Sequence, residues 1–194
     1  MIKILIIKMT LTPKTKYKSM FDKSFEDNVK LYYIHWSKKN IISYIKNNKI
    51  NGIILTGSTY RILHKNKKKA NLPIKILNLN IPILGICYGY QWLIKNLCGK
   101  ECLSTFSNNK NNRRFITKII KQPFKVEKKV YLLNHHDYIV KIPKGWKIGI
   151  KLGKQILMAY NKNKKIIGIQ SHPEAVPKTR KKFFKKWIKY ITKK

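Results

Sequence analysis

The chain has 194 residues, 43% of them hydrophobic, with 44 Lys plus Arg against 7 Asp plus Glu and a formal net charge of +37. Length and apolar content describe a globular chain, residues 1–194 as one domain with a sizeable core, and exclude a disordered one. No apolar run nears the roughly 20 residues that span a bilayer, which excludes a membrane-spanning chain.

In chain order, the N-terminal "MIKILIIKM" is too short for a signal peptide and is cut by Lys3 and Lys8, so Ile2 to Ile7 reads as a first strand. "VKLYYIHW", 29–36, reads as a second strand, Lys38 to Asn47 as a helix, and "GIILTG", 52–57, as a third strand. "IPILGIC", 81–87, is a fourth, followed by a helix from about Tyr88 to Leu97 that Gly99 can end. Shorter extended segments follow at 113–120, 128–134, 146–151 and 155–160, and "KKIIGIQ", 164–170, reads as a buried strand. The final helix, 178–194, places Phe183, Phe184, Trp187, Ile188 and Ile191 at helical spacing, a stripe that packs onto a sheet. Strands alternating with helices predict an α/β fold, a flavodoxin-like open and mainly parallel sheet flanked by helices, with a small antiparallel β addition in the C-terminal half. The Lys/Asn stretches 64–69 and 107–114 read as exposed loops.

The basic excess invites a nucleic-acid reading, since such a field attracts polyanions. Only Arg61, Arg113, Arg114 and Arg180 are arginines, the residue preferred for bidentate phosphate and base contacts, and the lysines run along the whole chain among Asn and Ile. Solvated surface is the better reading. The cysteines, Cys87, Cys98 and Cys102, are odd in number and lack C-x-x-C spacing. That argues against a disulfide framework and against a zinc or other metal site, and fits a reducing cytoplasm.

The informative stretch is "Gly85-Ile86-Cys87-Tyr88-Gly89", where a strand becomes a helix. A sharp strand-to-helix turn holds its central residue strained and pushes the side chain out over the sheet edge. Small residues two positions either side let the backbone pass its neighbours. The helix N-terminus favours negative charge on the thiol and on an adjacent oxyanion, and the carboxyl ends of parallel strands are where sites gather. The bland alternative is a small buried cysteine in a tight turn.

A thiol nucleophile needs a base, and the base an orienting group. "GIQSHPEAV", 168–176, ends a strand on His172, with Pro173 stiffening the turn and Glu174 able to reach the far imidazole nitrogen. His35 and His64 have no comparable acidic neighbour. His135 and His136, beside Asp137, read as either a second site or a satisfied polar turn.

At these residues the sequence resembles the class I, triad-type glutamine amidotransferases. "GICYG" is similar to their nucleophile motif, "GIQSHPE" to their "GVQFHPE", and "NGIILTGS" to the "GIILSGG" that opens their oxyanion loop. Within that family, "NHHDYIVKIPKGWKI", 134–148, is most similar to the glutaminase unit of GMP synthetases. The resemblance runs from about residue 51 to the C-terminus.

It implies hydrolysis of L-glutamine, without a cofactor, and transfer of ammonia to an ATP-pyrophosphatase synthetase partner, for GMP synthesis from xanthosine monophosphate. It implies Cys87 as nucleophile, His172 as general base and acid, and Glu174 as the residue that orients the imidazole. By the same resemblance, backbone N–H groups of Ser58 and Tyr88 form the oxyanion hole and Gln91 contacts the substrate. The backbone around Asn134, His135 and His136 then holds the amino-acid end, and Asp137 is structural or belongs to an interface.

The sequence departs from the family where Gly57-Ser58-Thr59 replaces Gly-Gly-Pro. Were φ positive at Ser58, the turn would cost about 1 kcal/mol or more and leave the oxyanion hole poorly formed. Ser171 replaces an aromatic before the histidine, and "MTLTPKTKYKSMF" replaces a Gly-bearing turn after the first strand. Two other functions use the same fold: a stand-alone γ-glutamyl hydrolase with the same triad, and a non-catalytic basic binding protein.

Overall fold

The computed structural model describes residues 1–11, 17–65, 69–106, 123–124 and 132–193. β1 (Ile2–Lys8) leads through α1 (Tyr17–Asp22) to β2 (Val29–His35), and α2 (Ile41–Asn47) leads on to β3 (Gly52–Leu55). β4 (Ile83–Ile86) runs straight into α3 (Tyr88–Cys98). β5 (Leu103–Thr105) and β6 (Asp137–Ile139) form a separate two-stranded antiparallel sheet. β7 (Lys147–Leu152), β8 (Gln155–Asn161) and β9 (Ile166–Ile169) return to the main sheet, and α4 (Arg180–Thr192) follows.

The main sheet has the order β2-β1-β3-β4-β9-β8-β7. Its first five strands are mutually parallel, and β8 and β7 add antiparallel at the β9 edge. This is the expected open, mainly parallel sheet with an antiparallel addition. The central strands are apolar on both faces because both faces are covered. Along β1, Leu5 and Ile7 face one core with Ile41 and Ile45 of α2 and Trp92 and Leu93 of α3. Ile4 and Ile6 face the other, with Phe183, Phe184 and Trp187 of α4 and Phe21 of α1. The aromatic stripe read from the sequence is therefore core packing, with Trp187 and Phe184 fully buried.

Some element boundaries differ from expectation for local reasons. The helix expected from Lys38 starts at Ile41, because Asn40 sits in the left-handed region at φ 57. The segment "MTLTPKTKYKSMF" runs into α1, whose Phe21 packs edge-on against Phe184 with centroids 5.7 Å apart. Of the extended segments, 113–120 lies outside the described residues, as does most of 128–134; residues 132–134 are not strand.

The reading against a disulfide framework is corrected in one respect: there is a single local disulfide. Cys98 and Cys102 are bonded to each other, with Cα atoms 6.0 Å apart. Gly99, at φ 100, ends α3 and turns the chain into a short 3-10 segment that folds Cys102 back over the helix end. Spacing rules for larger disulfide and metal frameworks do not register such a local link. Among the described residues, no helix is long and apolar enough to cross a membrane, and no group of three or more His, Cys, Asp or Glu could hold a metal ion.

Candidate active site

β3, β4 and β9 are neighbours, and their carboxyl ends carry Ser58, Cys87 and His172 to one edge of the sheet. The parallel register pairs Ile86 with Ile169, so Cys87 and Gln170 stand level one residue beyond the ladder. The Cys87 N–H donates to the Ile169 carbonyl at 2.8 Å, which fixes the turn to β9.

Cys87 has φ 50 and ψ −105, a conformation L-residues rarely adopt, and it is the residue immediately before α3. Such backbone costs about 1–3 kcal/mol and persists only where packing enforces it. Here the enforcing contacts are the expected close approaches. A Cβ on Gly89 would run into the carbonyl oxygen of Leu55 on β3 and come within 2.7 Å of its Cβ. A Cβ on Gly85 would lie 2.8 Å from the backbone nitrogen of Tyr90. With both positions bare, the first turn of α3 rests directly on the sheet, and the Gly89 N–H donates to the Thr56 carbonyl at 3.1 Å.

Several groups surround the sulfur. The Gln170 side-chain amide donates to Sγ at 3.4 Å and the thiol approaches the Asn134 carbonyl at 3.7 Å, while His172 lies near enough to the sulfur for the two to interact electrostatically. His172 Nδ1 pairs with Glu174 Oε1 at 2.8 Å, the carboxylate side chain being 1% exposed. Burial disfavours the imidazolium, but the Cys87 sulfur and the Glu174 carboxylate outweigh it and hold His172 well above the ordinary imidazole value. His172 and Glu174 thus form a hydrogen-bonded imidazole–carboxylate pair beside the thiol. Such a pair can take a proton from the thiol and stabilise the cation that results.

A cavity of about 220 Å³ opens beside Cys87, lined also by Ser58, Arg61, Gln91, His135 and Asp137. Of the expected oxyanion donors, Ser58, after β3, lines it, and Tyr88 is the first residue of α3, next to Cys87. The feared strain at Ser58 is absent. Neither Gly57 nor Ser58 has positive φ, and Ser58 Oγ accepts the Tyr60 N–H at 3.1 Å, closing a small turn.

Gln91 is buried and its amide donates to the Asp137 carbonyl at 2.6 Å and to Gln170 Oε1 at 3.3 Å, so it braces the wall as well as lining it. His135 and His136 line this same cavity with Asn134, which decides against a second site. His135 Nε2 pairs with Gln155 Oε1 at 3.2 Å, and burial above all lowers its pKa to about 4, so it is neutral. His35 is tied to the Thr10 carbonyl and to Ser37, away from this site.

Two residues here escaped the sequence reading. Gln170 lies two residues before His172, so β alternation could have placed both on one side. Arg61 and its approach to Asp137 carried no local signal, because the two meet only in the fold.

The class-I glutamine amidotransferase family model matches residues 19–189. The chain is 33% identical over 137 residues to a GMP synthase [glutamine-hydrolyzing] of Borreliella burgdorferi (strain N40), and 39% identical over 137 residues to that of Treponema denticola. These alignments cover 67% and 69% of this chain but 25% of each relative, so the chain spans about a quarter of the length of these curated relatives. In fold it is similar to a Thermoplasma acidophilum protein described as a candidate component of GMP synthase. That match has a TM-score of 0.70 and 18% identity and covers 98% of this chain and 94% of the other. It is also similar to a glutamine amidotransferase of Thermotoga maritima, with a TM-score of 0.61, 18% identity and coverage of 97% and 81%. The chain belongs to the class-I glutamine amidotransferase family.

Proposed function

We propose that this class-I glutamine amidotransferase is a glutaminase unit that supplies ammonia to a synthetase partner, for formation of GMP from xanthosine monophosphate. The observation that carries the reading is Cys87 at φ 50 on the start of α3, beside the hydrogen-bonded His172–Glu174 pair. GMP as the product is supported by the names of the relatives and by the 134–148 segment.

In this reading His172 takes the Cys87 proton and the thiolate attacks the side-chain amide carbon of L-glutamine. The tetrahedral oxyanion is held by the N–H groups of Ser58 and Tyr88. His172 then gives its proton to the departing ammonia, leaving a thioester on Cys87. Water, deprotonated by His172, adds to the thioester; its collapse releases glutamate and restores the thiol. Glu174 keeps the imidazole proton on Nδ1 and stabilises the cation. Gln170, donating to Sγ, favours the thiolate. Gln91, with the backbone at Asn134, His135 and His136, shapes the pocket for the amino-acid end. No step calls on a metal or cofactor.

The test is ammonia release from L-glutamine by the purified chain and its Cys87→Ala variant, each with and without a GMP-synthetase-type ATP-pyrophosphatase partner. Cys87-dependent release that rises with the partner is expected. Hydrolysis of γ-glutamyl peptides to glutamate and the free amine, with no response to the partner, would instead indicate the stand-alone hydrolase. No release in any condition, with salt-dependent polyanion binding, would indicate a binding protein on this fold.

A further inference from the structure

The cavity beside Cys87 holds a pair of opposite charges that the triad does not use. Arg61, in the turn after β3, donates through Nη2 to Thr105 Oγ1 at 2.9 Å, and the same nitrogen lies 3.8 Å from Asp137 Oδ1. Asp137, at the start of β6, is 2% exposed, and its other oxygen accepts the Leu63 N–H at 3.1 Å. Both residues line the cavity. At 3.8 Å the ion pair is too long for a direct hydrogen bond. Arg61 Nε and Asp137 Oδ1 are each buried and have no hydrogen-bond partner among the described residues. One is an unused donor and the other an unused acceptor, on two residues that line one pocket.

Unpartnered buried groups of this kind are costly unless something fills them. The choice of Arg also stands out in this composition, since it supplies only four of the 44 basic residues. A lysine presents a point charge, whereas a guanidinium presents a planar fork that matches a carboxylate.

We propose that Arg61 and Asp137 read the zwitterionic head of the amino-acid substrate, Arg61 taking the α-carboxylate and Asp137 Oδ1 the α-ammonium while the side-chain amide reaches Cys87. The proposal rests on the glutaminase reading and deepens it, by assigning the specificity for an α-amino acid to two side chains. A zwitterion suits the pair because it brings no net charge into the wall. It also fills both unused atoms at once. A ligand with only one of the two charges leaves the opposite residue unfilled and binds more weakly.

Calorimetric titration of the full-length Cys87→Ala chain tests this without turnover. The ligands are L-glutamine, glutaramate (no α-ammonium) and 4-aminobutanamide (no α-carboxylate). L-Glutamine is expected to bind tightest. Adding Arg61→Gln should weaken L-glutamine and glutaramate by about tenfold to a hundredfold and leave 4-aminobutanamide unchanged. Asp137→Asn should do the converse, weakening L-glutamine and 4-aminobutanamide and sparing glutaramate. Arg61→Lys should recover part of the carboxylate affinity.

Equal weakening of all three ligands, or no weakening of L-glutamine, would overturn the assignment. If the variants fail to fold, the ligand series on Cys87→Ala alone decides: equal affinity for the three compounds refutes the proposal. Ammonia release by the unmodified chain separates the two levels. Release together with Arg61-independent binding sinks this inference and leaves the glutaminase standing. Arg61-dependent binding with no release does the reverse.

Discussion

Glu174→Gln probes the link that distinguishes a working triad from a cysteine beside a histidine. In the native chain His172 Nδ1 and Glu174 Oε1 are 2.8 Å apart, and both side chains are largely buried, 14% and 1% exposed. Two losses can be separated. A hydrogen bond to a charged group is worth about 1.5–3 kcal/mol and a neutral one about 0.5–1.5 kcal/mol. The exchange therefore removes about 1–1.5 kcal/mol from the imidazolium, close to tenfold. The second loss concerns the tautomer. An amide can turn its NH2 toward Nδ1, which places the ring proton on Nε2 and disables the base. In serine triads the equivalent failure costs about 10⁴ in kcat. Between those limits, kcat for ammonia release should fall at least about tenfold and at most about 10⁴-fold. The assay is steady-state ammonia release at saturating L-glutamine, paired with an NMR titration of His172 and a melting curve to confirm the fold. The titration should show His172, held high in the native chain by Cys87 and Glu174 against its burial, moving down in the variant. A folded variant with kcat unchanged and His172 still held high would refute the triad assignment.

Gly89→Ala forces a Cβ against the Leu55 carbonyl, a backbone group that cannot rotate away, so stability should drop by about 1–3 kcal/mol in urea titration. Activity should fall further than stability, because the start of α3 carries both Cys87 and Tyr88; an alanine chain with native turnover would contradict the close-packing account. Ser58→Gly should not activate the enzyme, since Ser58 is outside the positive-φ region and its hydroxyl holds Tyr60; an increase in kcat would show that the turn is strained after all. The raised pKa of His172 makes a signed prediction for stability. Relative to His172→Asn, the native chain should hold an advantage that is fully present below about pH 6.5 and lost as pH rises through the elevated native value. Equal stability differences at every pH, measured by denaturant titration, would contradict it.

Much of the site was readable because its parts are short-range. Glycines two residues either side of Cys87 could serve only a close-packed turn, and the structure fills both spaces with the backbone of β3 and α3. His172 and Glu174 are two residues apart, so their pairing needs only a tight turn stiffened by Pro173. The α/β architecture was likewise written in the alternation of apolar strands and amphipathic helices. Element ends were less readable, as at Asn40, where a single left-handed residue moved the start of α2.

What the sequence determined by itself was therefore local: the strands, the helices, the strained turn at Cys87 and the His-Pro-Glu segment. These depend on periodicity and on backbone sterics, which act over a few residues. Only the tertiary structure decided how they meet. The β4–β9 register brings Gln170 to Cys87 across 83 residues, and the docking of the small β5–β6 sheet sets Asp137 against Leu63 across 74. It also seats Arg61 beside Thr105, 44 residues away. Such encounters leave no periodic trace, because charge and hydrogen-bond partners are selected by distance in space and not along the chain.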